Sequence, residues 1–194
     1  MTKSVSLLVL FSVCFLSLFS QSTTQAAKEC RISSGIGLGG ATNNSKSVGK
    51  DVWLQLDYRL NKNISIAMEF ENLSYKLQGY YPALPDGFDG INIVSNNFSF
   101  LFKYHIDTKL PLQFAVASGW TYTIKTREYY YYESSTAQDL SRYLSTADDY
   151  EVPLMLEARY PLWKAIDFQA RVKCNLNTQE QSTFSSGIGL SLRL

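Results

Sequence analysis

Hydrophobic and polar residues alternate along most of this chain with a period of two. Residues 50–60 are the clearest case. One face of this segment carries Val52, Leu54, Leu56, Tyr58 and Leu60. The other face carries Asp51, Trp53, Gln55, Asp57 and Arg59. Because successive side chains of a β-strand point to opposite sides, this pattern predicts a strand with one apolar and one polar face.

The same alternation recurs to the end of the chain and predicts eight strands. They begin at Cys30, Lys50, Ile64, Ile93, Leu112, Glu151, Ile166 and Phe184. The first strand is predicted at 30–41, the sixth at 151–160 and the seventh at 166–176. No segment of residues 27–194 carries a convincing helical stripe.

The connections between the predicted strands alternate in length. Long loops are expected at 42–49, 78–92, 133–150 and 177–183, and short turns at 61–63, 107–111 and 161–165. The short connections are rich in turn-forming residues. If neighbouring strands are antiparallel, all long loops leave one end of the sheet, as in membrane barrels. The predicted fold is all-β, an eight-stranded antiparallel up-and-down transmembrane β-barrel.

Alternation alone leaves open a soluble barrel such as a lipocalin, whose apolar face would be its core. The polar face, however, is rich in glycine, alanine and serine, which suits a narrow lumen. Its charges of opposite sign nearly cancel, and a buried charge left unpaired costs several kcal/mol. We therefore predict ion pairs in the lumen among Asp51, Asp57, Arg59, Glu69, Glu71, Lys103, Glu157, Arg159 and Arg171.

Aromatic residues recur at both ends of the predicted apolar face. Tyr58, Tyr104 and Tyr160 lie next to the short turns, and Tyr122, Tyr130 and Tyr132 lie towards the long loops. Two such girdles are typical of membrane barrels. They favour a lipid-facing apolar surface.

The first residues are predicted to be a targeting segment. Lys3 precedes an apolar run from Val5 to Phe19, which is too short for a stable membrane-spanning helix. A retained anchor is the alternative. We expect a signal peptide at residues 1–26 and one barrel domain at residues 27–194. Of the cysteines that remain, Cys30 opens the first strand and Cys174 lies near the far end of the seventh, which argues against a disulfide.

Across residues 27–194 the pattern resembles the OmpA/OmpX-type family of small outer-membrane barrels. The last strand is similar to the signal that the barrel assembly machinery reads, with Gly189, Leu192 and Leu194 at the matching positions. It departs from that signal in ending on Leu194 rather than an aromatic residue, and in placing Gly187 where a polar residue is usual. The resemblance implies the outer membrane as location. It also implies the barrel assembly machinery, membrane lipids and lipopolysaccharide as partners.

The sequence offers little catalytic chemistry. A net charge of +1 gives no basis for nucleic-acid binding. Barrels that hydrolyse or transfer lipid A acyl groups resemble each other in having a catalytic histidine and a serine near the outer leaflet. The only histidine here, His105, is predicted near a short turn. Glu69 and Glu71 could act as acid and base or hold a cation, but ion pairing is the favoured interpretation. No catalytic residue, cofactor or metal is predicted.

The remaining candidate for function is a set of aromatic residues in the predicted long loops. This surface comprises Tyr80, Tyr81, Phe88, Tyr129, Tyr130, Tyr131 and Tyr132. Aromatic residues displayed above a rigid scaffold form binding surfaces, although they also serve as interface anchors. We expect a structural or adhesion-like role toward an extracellular ligand, and not an enzyme or a general pore. The alternative is a carrier of a small hydrophobic ligand, either lipocalin-like or a laterally open membrane barrel.

Overall fold

The computed structural model describes residues 29–42, 47–77, 91–106, 108–132, 140–177 and 181–194. All regular structure in these ranges is β-strand. The strands are β1 (Cys30–Ala41), β2 (Gly49–Arg59), β3 (Ile64–Leu77), β4 (Ile91–Ile106), β5 (Gln113–Tyr132), β6 (Leu140–Pro161), β7 (Ile166–Leu176) and β8 (Thr183–Arg193).

Each strand pairs antiparallel with the next, and β1 pairs with β8 to close the barrel. This confirms the predicted fold. Because all eight pairings are present, the wall has no lateral gap between strands. No helix in the described ranges is long and apolar enough to cross a membrane. The signal peptide expected at 1–26 lies outside those ranges and stays a prediction.

The two faces of the strands are sorted as the alternation predicts. Ile36, Trp120 and Leu190 lie on the outside and are 66%, 54% and 54% exposed. Lys103 and Lys173 lie in the lumen and are 0% and 1% exposed. A soluble barrel would bury its apolar face. The distribution therefore contradicts the lipocalin-like alternative and is that of a lipid-facing barrel.

The hairpin formed by β5 and β6 is much longer than predicted. Its pairing continues from Gln113 opposite Arg159 to Tyr132 opposite Leu140. The loop predicted at 133–150 is therefore wrong from residue 140 onward. The backbone of Tyr129, Tyr130, Tyr131 and Tyr132, which were assigned to the predicted aromatic surface, belongs to strand β5. Beyond the apolar belt neither face of a strand needs to be apolar, so the pattern disappears while the pairing persists.

One side of the barrel wall projects beyond the other at the long-loop end. β3 and β4 remain paired up to Leu77 opposite Ile91. In contrast, β6 pairs with β7 only as far as Val152 opposite Leu176. The segment from Leu140 to Glu151 therefore has a neighbouring strand on its β5 side alone, within the described residues. We call this segment the free edge of β6.

Glycines make room for a large side chain inside the barrel. Trp53 of β2 is 1% exposed and lies in the lumen. A Cβ atom on Gly35 would lie 2.5 Å from its Cζ2 atom, and one on Gly189 would lie 2.8 Å from the same atom. Two glycines at the β1–β8 closure thus provide the space that the indole fills.

Both described cysteines are free thiols. Cys30 pairs in register with Tyr58 at the short-turn end of the barrel. Cys174 pairs with Phe184 towards the long-loop end. Their positions at opposite ends agree with the sequence argument against a disulfide.

We expect Gly35→Val to destabilise the barrel, because the added carbons would overlap both Trp53 and the carbonyl oxygen of Ile188. Overpacking of this kind costs about 1–3 kcal/mol. The midpoint of the heat-dependent gel shift in detergent measures the change. Ser34→Val, on the exposed outer face of the same strand, is the control. An equal midpoint for the two variants would contradict the proposed packing.

Candidate functional site

A network of buried ion pairs crosses the lumen at the level of Trp53. We call it the upper cluster, and it comprises Asp51, Glu69, Glu71, Arg171 and Lys173. Lys173 Nζ lies 2.7 Å from Glu69 Oε1 and 2.9 Å from Glu71 Oε2. Arg171 Nη2 lies 2.8 Å from Glu71 Oε1 and 3.0 Å from Asp51 Oδ2, and Arg171 Nη1 pairs with Glu69. These side chains are almost completely buried.

The upper cluster joins opposite walls of the barrel, because its acids lie on β2 and β3 and its bases on β7. Neutral side chains complete the bonding of Glu71. Asn97 Nδ2 donates to Oε2 at 2.9 Å, and Ser185 Oγ donates to Oε1 at 2.7 Å. The guanidinium of Arg171 also stacks on Trp53, with its Cζ atom 4.4 Å from the ring centroid. This cation–π contact fixes the arginine in the middle of the lumen.

A second set of ion pairs, the lower cluster, lies nearer the short turns and comprises Asp57, Lys103, Glu157 and Arg159. Lys103 Nζ lies 2.7 Å from both Asp57 Oδ1 and Glu157 Oε2. Arg159 Nη2 lies 2.7 Å from Asp57 Oδ2, and Arg159 Nε lies 2.5 Å from Glu157 Oε1. Two acids and two bases thus compensate each other in a ring that again spans the lumen.

A third, partly exposed group lies at the rim of the short-turn end. Asp167 pairs with Arg31 and, at 2.7 Å, with Arg193. Arg59, predicted to take part in lumen pairs, is placed at this rim. It lies 3.7 Å from Glu29 and donates to the carbonyl oxygen of Lys62 at 2.6 Å. Arg59 therefore holds a turn rather than the middle of the lumen.

Some members of the network were not among the predicted pairs. Lys173 joins the upper cluster, and Lys125 Nζ pairs with Glu151 Oε1 at 2.7 Å near the long-loop end. Their position on the polar face is visible in the sequence alternation. Their partners are not, because contacts across the lumen depend on the stagger of the closed barrel rather than on spacing along the chain.

The lumen changes character on one side of the long-loop end. Buried apolar residues of β1, β3 and β4 form a cluster there. Its members are Ala41, Leu73, Tyr75, Leu77, Ile91 and Ile93. The Lys125–Glu151 pair lies at the same end, on β5 and β6. The mouth of the barrel is thus filled by apolar packing on one side and ionic packing on the other.

His105 lies near the short-turn end, as predicted. Its Nε2 atom is 2.8 Å from Ser65 Oγ, and the two residues are 9% and 1% exposed. Such a pair can transfer a proton, but here little solvent reaches it. No group of three or more metal-ligating side chains occurs in the described part of the chain.

Of the predicted aromatic surface, Tyr80, Tyr81 and Phe88 lie outside the described residues. At the outer end of the apolar belt the rings of Tyr122 and Tyr150 are 5.4 Å apart. The hydroxyl of Tyr122 donates to Asp148 Oδ2 at 3.2 Å. This pair marks the level at which apolar outer side chains give way to polar ones.

The exterior and interior together define an integral membrane β-barrel. The outer belt is apolar, while the charged groups lie inside and compensate one another. The sequence-based prediction of the outer membrane as location agrees with this class of protein.

Comparisons with solved structures find the same fold. Outer membrane protein OprG from Pseudomonas aeruginosa aligns with a TM-score of 0.59 at 13% identity, covering 87% of this chain and 96% of that one. Ail, the attachment invasion locus protein of Yersinia pestis, aligns with a TM-score of 0.55 at 9% identity, covering 87% and 100%. Neisserial surface protein A aligns with a TM-score of 0.53 at 14% identity, covering 87% and 98%. No protein-family model and no curated protein sequence matches the chain. The resemblance predicted from the pattern is thus confirmed at the level of fold.

We expect Arg171→Met to destabilise the barrel strongly, because it leaves Asp51, Glu69 and Glu71 with Lys173 as the one remaining base of the upper cluster. Removing one partner from a buried ion pair costs about 3–5 kcal/mol. The midpoint of urea unfolding in micelles measures the loss.

The matched control is Arg193→Met at the rim, where the side chain is 34% exposed. Its midpoint should change little, because Asp167, the carboxylate that it leaves, keeps its ion pair with Arg31. If both variants unfolded at the same urea concentration, the upper cluster would not have the structural role described here.

Proposed function

We propose that this chain is a non-enzymatic outer-membrane protein that interacts with a partner outside the cell through its projecting hairpin. The observation that carries the proposal is the free edge of β6. Membrane lipids, lipopolysaccharide and the barrel assembly machinery are the further partners that this role entails.

The free edge carries charges at Arg142, Asp148, Asp149 and Glu151, but it lacks other features that keep sheet edges from pairing. From Leu140 to Glu151 it contains no proline, no lysine and no bulge in its pairing with β5. Leu144 and Tyr150 are 52% and 75% exposed along it. Unprotected edges accept strands from other proteins, so the hairpin offers main-chain hydrogen bonds with exposed side chains beside them.

The likeness to Ail supports this proposal at the level of architecture. That protein is described as an attachment invasion locus protein and has the same eight-stranded fold. At 9% identity the likeness concerns the scaffold and not particular contact residues.

The lumen supports a role other than diffusion. The upper and lower clusters both join side chains of opposite walls, and Lys103 and Lys173 are almost fully buried within them. A barrel of eight strands is just wide enough for its own side chains to fill. An ion or sugar would have to break several buried ion pairs to pass.

The buried pair of Ser65 and His105 favours a packing role over an enzymatic one. Neither side chain is open to a substrate, and the pair lies at the short-turn end, away from the proposed partner. We therefore assign the function to the surface of the hairpin rather than to a catalytic centre.

Attachment of cells tests the surface role. An adhesion-deficient Gram-negative host that displays the chain should attach to epithelial monolayers or to immobilised matrix proteins several-fold better than the host with empty vector. Replacing Tyr129–Tyr132 by serine should return attachment to the vector level, because these positions lie on the projecting hairpin. The readout is the number of bound cells.

The control replaces Tyr122 by serine, which alters a tyrosine of β5 at the base of the hairpin and leaves both the free edge of β6 and residues 129–132 intact. This variant should retain most of the attachment. Vector-level attachment by the unaltered chain would contradict the adhesive role. Unchanged attachment by the 129–132 variant would remove those tyrosines from it.

We also expect the purified barrel to lack stepwise conductance in planar bilayers and to be impermeable to arabinose in liposome swelling assays. The physical reason is the pair of ionic layers across the lumen. Combined alanine substitution of Glu69, Glu71, Arg171 and Lys173 should raise the permeability if the variant folds. Resolved conductance steps in the unaltered protein would be incompatible with a sealed lumen.

A further inference from the structure

The three short turns share a pattern that the proposed function does not use. Each places an exposed lysine beside an exposed large apolar side chain. The pairs are Lys62 with Leu60, Lys109 with Leu110, and Lys164 with Trp163. Leu110 and Trp163 are 66% and 76% exposed, which is more than most of the lipid-facing belt. In water this arrangement would leave apolar surface uncovered at the tip of every turn.

The turns are held by local hydrogen bonds. Asn61 Oδ1 accepts from the backbone N–H groups of Asn63 and Ile64 at 2.9 and 2.8 Å. The N–H groups of Leu162 and Trp163 both donate to the carbonyl oxygen of Ile166 at 3.0 Å. A turn fixed in this way cannot readily fold its apolar side chain back onto the barrel. Trp163 and its neighbours are therefore presented to whatever surrounds this end.

The apolar belt reaches these turns without a polar interruption. Tyr160 is the last outward-facing residue of β6, and Leu162, 58% exposed, follows it on the turn. Tyr58 and Tyr104 lie at the same end of β2 and β4. Since tyrosine and tryptophan prefer the headgroup region of a bilayer, the turn tips are at the depth of the lipid phosphates.

The described acids at this rim do not neutralise Lys109 or Lys164. Glu29 and Asp167, the described carboxylates at this end, are paired with arginines. Lys109 and Lys164 have no ion-pair partner within the described residues. The flexible stem of a lysine lets its ammonium group reach a phosphate while the apolar neighbour stays in the interface.

We propose that the rim of short turns binds anionic phospholipid headgroups, with Lys109 and Lys164 at the phosphates and Leu110 and Trp163 in the interface. Charge complementarity and continuity with the apolar belt both point to this partner. The attraction of an anionic surface is worth on the order of fivefold in affinity for each lysine near it. The preference should weaken with added salt.

Tryptophan quenching by brominated lipids tests the proposal, because Trp163 lies within the rim. The test protein comprises residues 27–194, which contain the whole barrel. The substitution Trp120→Phe removes the other lipid-facing tryptophan. Trp53 remains, buried in the lumen. The protein is refolded into phosphatidylcholine vesicles containing increasing fractions of brominated phosphatidylglycerol. A parallel series contains brominated phosphatidylcholine. We expect phosphatidylglycerol to reach half-maximal quenching at a several-fold lower fraction.

The double variant Lys109→Gln/Lys164→Gln should abolish that preference. The matched control, Lys50→Gln/Lys76→Gln, removes two charges at the opposite end of β2 and β3 and should retain it. The heat-dependent gel shift verifies folding, and the single variants replace a double variant that does not fold. Equal quenching by both lipids, or an equal effect of the two double variants, would overturn the proposal. Neither result depends on attachment through the hairpin.

Discussion

The structure depends on one constraint: charges placed inside an eight-stranded barrel must find partners there. The lumen is too narrow to hold bulk water around them, so each unpaired charge would cost several kcal/mol. The upper and lower clusters meet this requirement with contacts between opposite walls. These contacts brace the wall from within, while the lipid-facing side contributes apolar surface without cross-bracing. The packing inside the lumen therefore makes the observed strand register more stable than barrels with a shifted register.

Glycine and charge work together in this packing. Trp53 fills space that Gly35 and Gly189 leave open, and its ring supports the guanidinium of Arg171. Trp53 thus positions a charged group of the lumen. Its own position depends in turn on the two glycines, which have no side chains. A change at the closure between β1 and β8 is expected to reach the ion pairs on β3 and β7 through this chain of contacts. The sealed lumen and the rigid platform for the hairpin have a common physical origin.

Much of this fold could be predicted from the sequence, because the bilayer enforces a strict alternation wherever a strand crosses it. The bounds predicted for β1 and β7, 30–41 and 166–176, are those of the structure. The same rule failed for β6, which begins at Leu140 rather than at residue 151. There the strand has left the apolar belt, and Ser145, Thr146 and Asp149 give no periodic signal. The partners of Arg171 were equally hidden, since Glu69 and Glu71 lie about a hundred residues earlier in the chain.

The closure of the barrel by β1 and β8 has a consequence for the order of assembly. β1 and β8 are the first and last strands of the barrel sequence. Their ladder runs from Arg31 opposite Arg193 to Ala41 opposite Thr183. It cannot form until all eight strands are available. Contacts of such long sequence separation form slowly. Until then both terminal strands have an unpaired edge, and the charges meant for the lumen remain hydrated. Pairing of the last strand with the first therefore converts an open, hydrated sheet into a closed barrel with a dehydrated lumen.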